Sequence, residues 1–226
     1  MNLDDKFSFI SLGCDCLPVV FLSRSGLIRK KAEGRLTLPF DFALFSSDFI
    51  KNMLQTDFNL LNQVAIEQKL LGNTYMPSIS AYHCVYFNHE SADFNEIDWV
   101  ENHYEKLYQR YWSRISNFFN LLKENTKIPV FVMHLRLETD RFDITNITEI
   151  AMLVSKKYNG YLYIFVTQCK NGPIPNLQAF HDSLKLIENL TIDIITFESG
   201  MWHEPQMNFE MLLQNSRFYE FIKNIQ

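Results

Sequence analysis

Two cysteines stand one residue apart in Gly13-Cys14-Asp15-Cys16, between a short apolar run and a helical one. A thiol placed there has a clear chemical use. At a helix N-terminus it meets the positive end of the helix dipole and backbone N–H groups without intrahelical partners. Both stabilise a thiolate and make it a better nucleophile. The same N–H groups can hold the oxyanion formed when a thiolate attacks a carbonyl. The plainer reading is two small buried thiols packing a tight turn. A third use needs no thiol: a turn at Gly13 that holds an anionic ligand at the start of a helix.

A working thiol needs a base, and the sequence holds 6 histidines from which to find one. His83 and His134 alternate with apolar residues and read as core or hydrogen-bonded groups. His103 and His181 fall on helix surfaces. His89 follows a strand candidate and stands in a polar turn, beside Glu90. His203 lies in Glu198-Ser-Gly-Met-Trp-His-Glu-Pro205, just after the last predicted strand, with Glu198 or Glu204 placed to orient it. Asp41 sits between Phe40 and Phe42, where an unpaired carboxylate would be too costly to bury. It can orient a catalytic histidine, or pair structurally with Arg29 or Arg136.

Other chemistries find no motif. The Cys-x-Cys pair lacks the second pair that a structural zinc site needs. There is no glycine-rich phosphate loop, no His-Glu-x-x-His and no carboxylate cluster at metal spacing. No metal and no cofactor is therefore expected. A net charge of -5 disfavours nucleic acid as a partner. Short basic stretches, Arg29-Lys30-Lys31 and Arg110 with Arg114, read as solvated faces. No run reaches the length of a membrane span and no secretory leader opens the chain, which predicts reduced thiols in the cytoplasm.

The elements that must position these residues follow from periodicity. Phe7–Leu12 reads as a strand, Leu17–Ser25 as a helix stopped by Gly26, with Asp15 as its cap. Helices are expected from Ser46 or Ser47 to Leu54, from about Phe58 to Leu71, and from Ile97 to Lys123. Tyr82–Phe87 is a strand candidate. Beyond it, strands at Ile128–Leu135, Tyr161–Thr167 and Ile192–Phe197 alternate with helices at Ile147–Lys157, Leu177–Glu188 and Phe209–Ile222. Such alternation predicts one α/β domain over residues 1–226, with a mostly parallel, Rossmann-like sheet covered on both faces.

Four ordered blocks bring a family into view. Ile10-Ser-Leu-Gly-Cys-Asp-Cys16, Pro39-Phe-Asp-Phe42, Phe87-Asn-His-Glu90, and Arg110-Tyr-Trp-Ser-Arg-Ile-Ser-Asn-Phe118 with Val130-Phe-Val and Arg136 resemble a bacterial family of unknown function described as papain-like cysteine peptidases. The likeness runs over about residues 7–136. The chain departs from the family pattern at Phe42, Glu90, Ser113 and Asn117. The resemblance selects Cys16 over Cys14 as nucleophile and implies His89 as its base, with His203 the alternative from strand order. It also singles out Asp41 as a third site residue and Arg136 as a substrate-binding one. It implies a hydrolase or acyl transferase acting on a peptide, amide or ester, and a papain-like α+β fold as the alternative architecture. A module of another class, binding or transferring a glycan or nucleotide sugar on a Rossmann-like sheet, keeps the fold and drops the thiol chemistry.

Overall fold

Phe7–Leu12 forms the first strand, β1, and every one of its side chains is buried. A strand can bury both alternating sets only if both faces of its sheet are covered. The computed structural model describes residues 3–71, 74–87, 99–123, 126–136, 143–169, 182, 184, 187–197 and 216–225. Within them the elements run α1 (Leu3–Lys6), β1, α2 (Leu17–Arg24), α3 (Ser47–Gln55), β2 (Glu67–Leu71), β3 (Thr74–Ser78), α4 (Trp99–Lys123), β4 (Ile128–Arg136), α5 (Ile144–Tyr158), β5 (Tyr161–Cys169), β6 (Leu190–Phe197) and α6 (Phe218–Asn224).

The main sheet has the order β1-β4-β5-β6, and every pairing in it is parallel. The chain is thus α/β, with a small antiparallel β2–β3 hairpin added. On one face, Phe9, Val132 and Phe165 pack with Phe21 of α2 and Phe218 of α6. On the other, Ile10, Met133 and Ile164 pack with Phe49 of α3, Phe118 of α4 and Ile150 of α5. Burying a side chain of this kind contributes roughly 1.5–3 kcal/mol, so the two layers account for most of the driving force. Many contacts are edge-to-face ring pairs, such as Phe58 with Phe118 at 5.0 Å.

The helix ends carry local signals that the sequence supplies. Pro18 occupies the first turn of α2, where no intrahelical N–H is lost. The Asp143 side chain accepts from the Thr145 N–H to start α5, and Asn159 in the left-handed region ends it.

Two predicted elements are replaced. The helix expected from Phe58 to Leu71 is a 3-10 turn, Asn59–Asn62, followed by β2. Asp57 and Phe58 both have positive φ, so the chain turns sharply just where that helix would start. The strand expected over Tyr82–Phe87 shrinks to isolated bridges of Tyr86 with Leu44 and Ser78. Cys84, at φ 52, breaks the extended run. His83 in consequence lies exposed in a turn and not in the core. Most of the expected helix Leu177–Glu188 and the first half of Phe209–Ile222 lie outside the described residues. Among the described residues no helix is long and apolar enough to cross a membrane.

Candidate functional site

Three strands end side by side at one edge of the sheet, and the first of them runs straight into Gly13. A Cβ on Gly13 would stand 2.4 Å from the Phe40 carbonyl oxygen and 2.6 Å from that of Asp15. Only glycine lets the Phe40 turn press this closely on the end of β1. This crowding assigns Gly13 a packing role.

Past Gly13 the chain turns into α2. Cys14 and Asp15 are buried, and Cys16, the residue before the helix, is partly exposed. Asp15 works in two directions. One carboxylate oxygen accepts from the Leu17 N–H at 2.9 Å, so Asp15, one residue before the Cys16 cap position, ties the turn to the first residue of α2. The other lies 2.9 Å from Nδ1 of His134. His134 is 1% exposed and its Nε2 lies 2.7 Å from the Thr167 hydroxyl, itself wholly buried. The imidazole also stacks on Phe165 at 4.8 Å. A carboxylate only accepts, so Nδ1 carries a proton toward Asp15. With the ring neutral, the Thr167 hydroxyl then donates to Nε2.

This chain of groups follows from register. His134 stands opposite Phe165, and Thr167 is two residues further along β5, on the same face. That face carries α2. Asp15, His134 and Thr167 therefore gather beneath the start of α2, beyond or at the carboxyl ends of β1, β4 and β5, the place where such sheets collect functional groups. Carboxylate, imidazole and hydroxyl in this order form the orienter, base and hydroxyl arrangement of nucleophilic catalysis. Thr167 has no solvent-exposed surface, and the partly exposed residue of the adjoining turn is Cys16, next in sequence to Asp15. The first turn of α2 offers an oxyanion fewer donors than expected: the Leu17 N–H is taken by Asp15 and Pro18 has none.

Asp41 forms a separate knot. It is fully buried and accepts from the Ser11 hydroxyl at 2.5 Å, from the Leu38 N–H at 2.8 Å and from the Arg35 guanidinium at 2.9 Å. The predicted partners were Arg29 or Arg136. Arg35 takes the place because a left-handed turn at Gly34, φ 87, folds the chain back toward Asp41. No histidine is among these partners, so the contacts given to Asp41 are those of a structural brace between β1 and the turn that presses on Gly13. Arg136 is the last residue of β4, opposite Thr167. Arg114, expected on a solvated face, is buried with its guanidinium 5.0 Å from the Tyr111 ring. Among the described residues, no group of three or more His, Cys, Asp or Glu could hold a metal ion. His89 and His203, with Glu198 and Glu204, lie outside the described residues.

Sequence reasoning placed His134 in a hydrogen-bonded core position and Asp15 at a cap, but did not join them. The usable signal was a single imidazole in an otherwise apolar strand, which must find partners when buried. Comparison with known proteins gives no match: no family model, curated protein or solved structure is similar to this chain.

Proposed function

We propose that this chain is a thiol-dependent hydrolase or acyl transferase, with Cys16 as nucleophile and a peptide, amide or ester as substrate. The observation that carries the reading is the placement of Cys16. It is partly exposed at the start of α2 and adjoins Asp15, which holds an imidazole ready oriented. In the reaction a histidine takes the thiol proton and the thiolate attacks the carbonyl. The leaving amine or alcohol departs with that proton, and water or an acceptor amine or alcohol then releases the acyl group from sulfur. The resemblance names His89 for the proton transfer and strand order names His203. His134 is a third candidate, tied to the same turn. A reactive thiol also suits the reducing cytoplasm.

Pulse alkylation with iodoacetamide at neutral pH, followed by peptide mapping, tests the assignment. Cys16 is expected to label ahead of Cys14, and the pH profile of labelling should move in one of His89→Ala, His203→Ala and His134→Ala. Labelling of Cys14 alone, or of neither, overturns it.

A second reading draws on the sheet. Parallel strands with a polar cluster at their carboxyl ends favour a Rossmann-like binding or transferase module for a glycan or nucleotide sugar, with no covalent step. A Cys16 inert to alkylation supports that reading instead.

A further inference from the structure

We propose that β2 is the contact edge of a homodimer, where it pairs antiparallel with β2 of a second copy of this chain. In its sheet β2 has a single neighbour, β3. On its far side β3 is bridged by Tyr86, and the Phe87 N–H donates to the Pro77 carbonyl there. In an antiparallel strand the N–H and C=O of one residue point to the same side, and the side alternates along the chain. Pro77 therefore turns its carbonyl away from β2, and Gln68, directly opposite, faces away from β3. Leu70, two residues on, faces the same outer side. Among the described residues no backbone hydrogen bond reaches Leu70 from that side. Solvent meets this strand: Glu67 and Lys69 are exposed, and Leu70 is 52% exposed. Outward N–H and C=O groups on an exposed edge are what an added strand pairs with.

The side chains name the partner. Within the hairpin Glu67 stands opposite Ser78 and Lys69 opposite Met76, so neither meets an opposite charge there. One Glu67 oxygen accepts from the Ser80 hydroxyl, and among the described residues Lys69 forms no ion pair. A two-fold axis at Gln68 sets Glu67 of each copy against Lys69 of the other. These are non-hydrogen-bonded positions, where facing side chains come closest. The same axis sets Leu70 of each copy against Ile66 of the other. That pairing covers the exposed leucine and joins the backbones of those two residues. Moving the axis by one residue puts Lys69 against Lys69, or Glu67 against Glu67, and like charges directly opposite disfavour pairing. A lysine on an edge commonly keeps other strands away. Here a glutamate two residues before it makes the strand complementary to its own copy. Five residues of strand span roughly 17 Å. A contact of that length falls below the roughly 1,200 Å² of stable complexes, among the weak and transient ones. The edge lies outside the main sheet and uses neither Cys16 nor His134, so it is independent of the thiol proposal.

Sedimentation velocity of the full chain, from about 10 μM to about 1 mM, tests the proposal, since a weak interface shows itself only at high concentration. The wild type should pass from monomer to a substantial dimer fraction over that range. Glu67→Lys and Lys69→Glu, each made alone, set like charges opposite and should weaken association about tenfold. An equimolar mixture of the two variants restores opposite charges at both facing positions, and should recover the wild-type association to within about threefold. Without any variant, the Leu70 amide should exchange its hydrogen more slowly at the upper concentration than at the lower. A chain that stays monomeric at about 1 mM overturns the proposal. A dimer that neither substitution weakens, or whose Leu70 exchange is unchanged, has another interface and overturns it too. Association of the mixture no stronger than that of either variant alone overturns the antiparallel register about Gln68. Each of these outcomes leaves the alkylation test of Cys16 untouched.

Discussion

Asp15 and Asp41 are both buried, both close to the end of β1, and held by different kinds of partner. Asp41 meets a guanidinium, a backbone N–H and a hydroxyl. Asp15 meets a backbone N–H and an imidazole. Arginine keeps its proton at any pH a protein survives, and its planar fork suits a fixed carboxylate. An imidazole can lose or gain a proton and change which nitrogen carries it. The Asp41 knot is therefore built to stay as it is, while the Asp15 chain contains the one partner able to take part in proton transfer. The difference separates a fixed brace from a chain that holds a titratable partner; the sequence resemblance singles out Asp41, whereas Asp15 enters the sequence reading only as a cap.

The largest effect is expected where the brace is cut. Asp41→Ala should lower stability by about 3 kcal/mol, because a buried ion pair that loses one member leaves the other uncompensated. Urea denaturation of wild type and variant measures it. A loss below about 1 kcal/mol would mean that Arg35 reaches water freely and that Asp41 is no brace.

A smaller effect, of a different kind, is expected from Asp15→Asn. The amide oxygen can still accept from the Leu17 N–H, while the new NH2 group forces Nδ1 of His134 to accept, and Nε2–H then donates to Thr167. The fold should lose about 1 kcal/mol, the scale of one altered hydrogen bond. The pH profile of Cys16 alkylation should move if His134 is the base. Asp41→Asn should do the reverse: a lower urea midpoint and an unmoved profile among molecules that remain folded. If both variants shift the profile alike, the contrast between the two carboxylates fails.

How far this was legible beforehand follows from range. The turn at Gly13 and the start of α2 are set within ten residues, and local rules read them closely, with the cap position at Cys16 and Asp15 bonded to the first helical N–H. The three strands beyond residue 128 and the helix between the first two were equally plain, since the strands are long and apolar. His134 lies 119 residues from Asp15, and only the parallel pairing of β1 with β4 joins them. Pairing between distant strands is not written in either segment alone. The β2–β3 hairpin was missed for a local reason: the leucines of 60–71 fit helical spacing, and the positive φ at Asp57 and Phe58 that stops a helix occurs at residues with no glycine to announce it.

A third buried carboxylate sharpens the comparison from the other side. Asp193 accepts from the Tyr163 hydroxyl at 2.7 Å and from the Arg217 N–H at 2.6 Å. Burial, first, and the nearby Asp193 charge raise the Tyr163 pKa far above its ordinary value of about 10. The folded chain therefore keeps this proton where the unfolded chain gives it up. Stability from Tyr163 is fully present below pH 10 and falls as pH rises above it, by up to about 1.4 kcal/mol per pH unit. Tyr163→Phe removes the hydroxyl, which should cost about 1 kcal/mol near neutral pH, and removes that alkaline loss as well. Tyr158, whose pKa is also raised by burial and by Asp57, keeps a residual alkaline slope in both proteins. Urea midpoints measured from pH 7 to pH 11 should show a constant gap up to about pH 9.5 that closes over the next unit. A gap that stays constant to pH 11 would mean that the Tyr163 hydroxyl is no better protected in the folded chain than in the unfolded one, and that Asp193 is held by the Arg217 N–H and the α6 end alone.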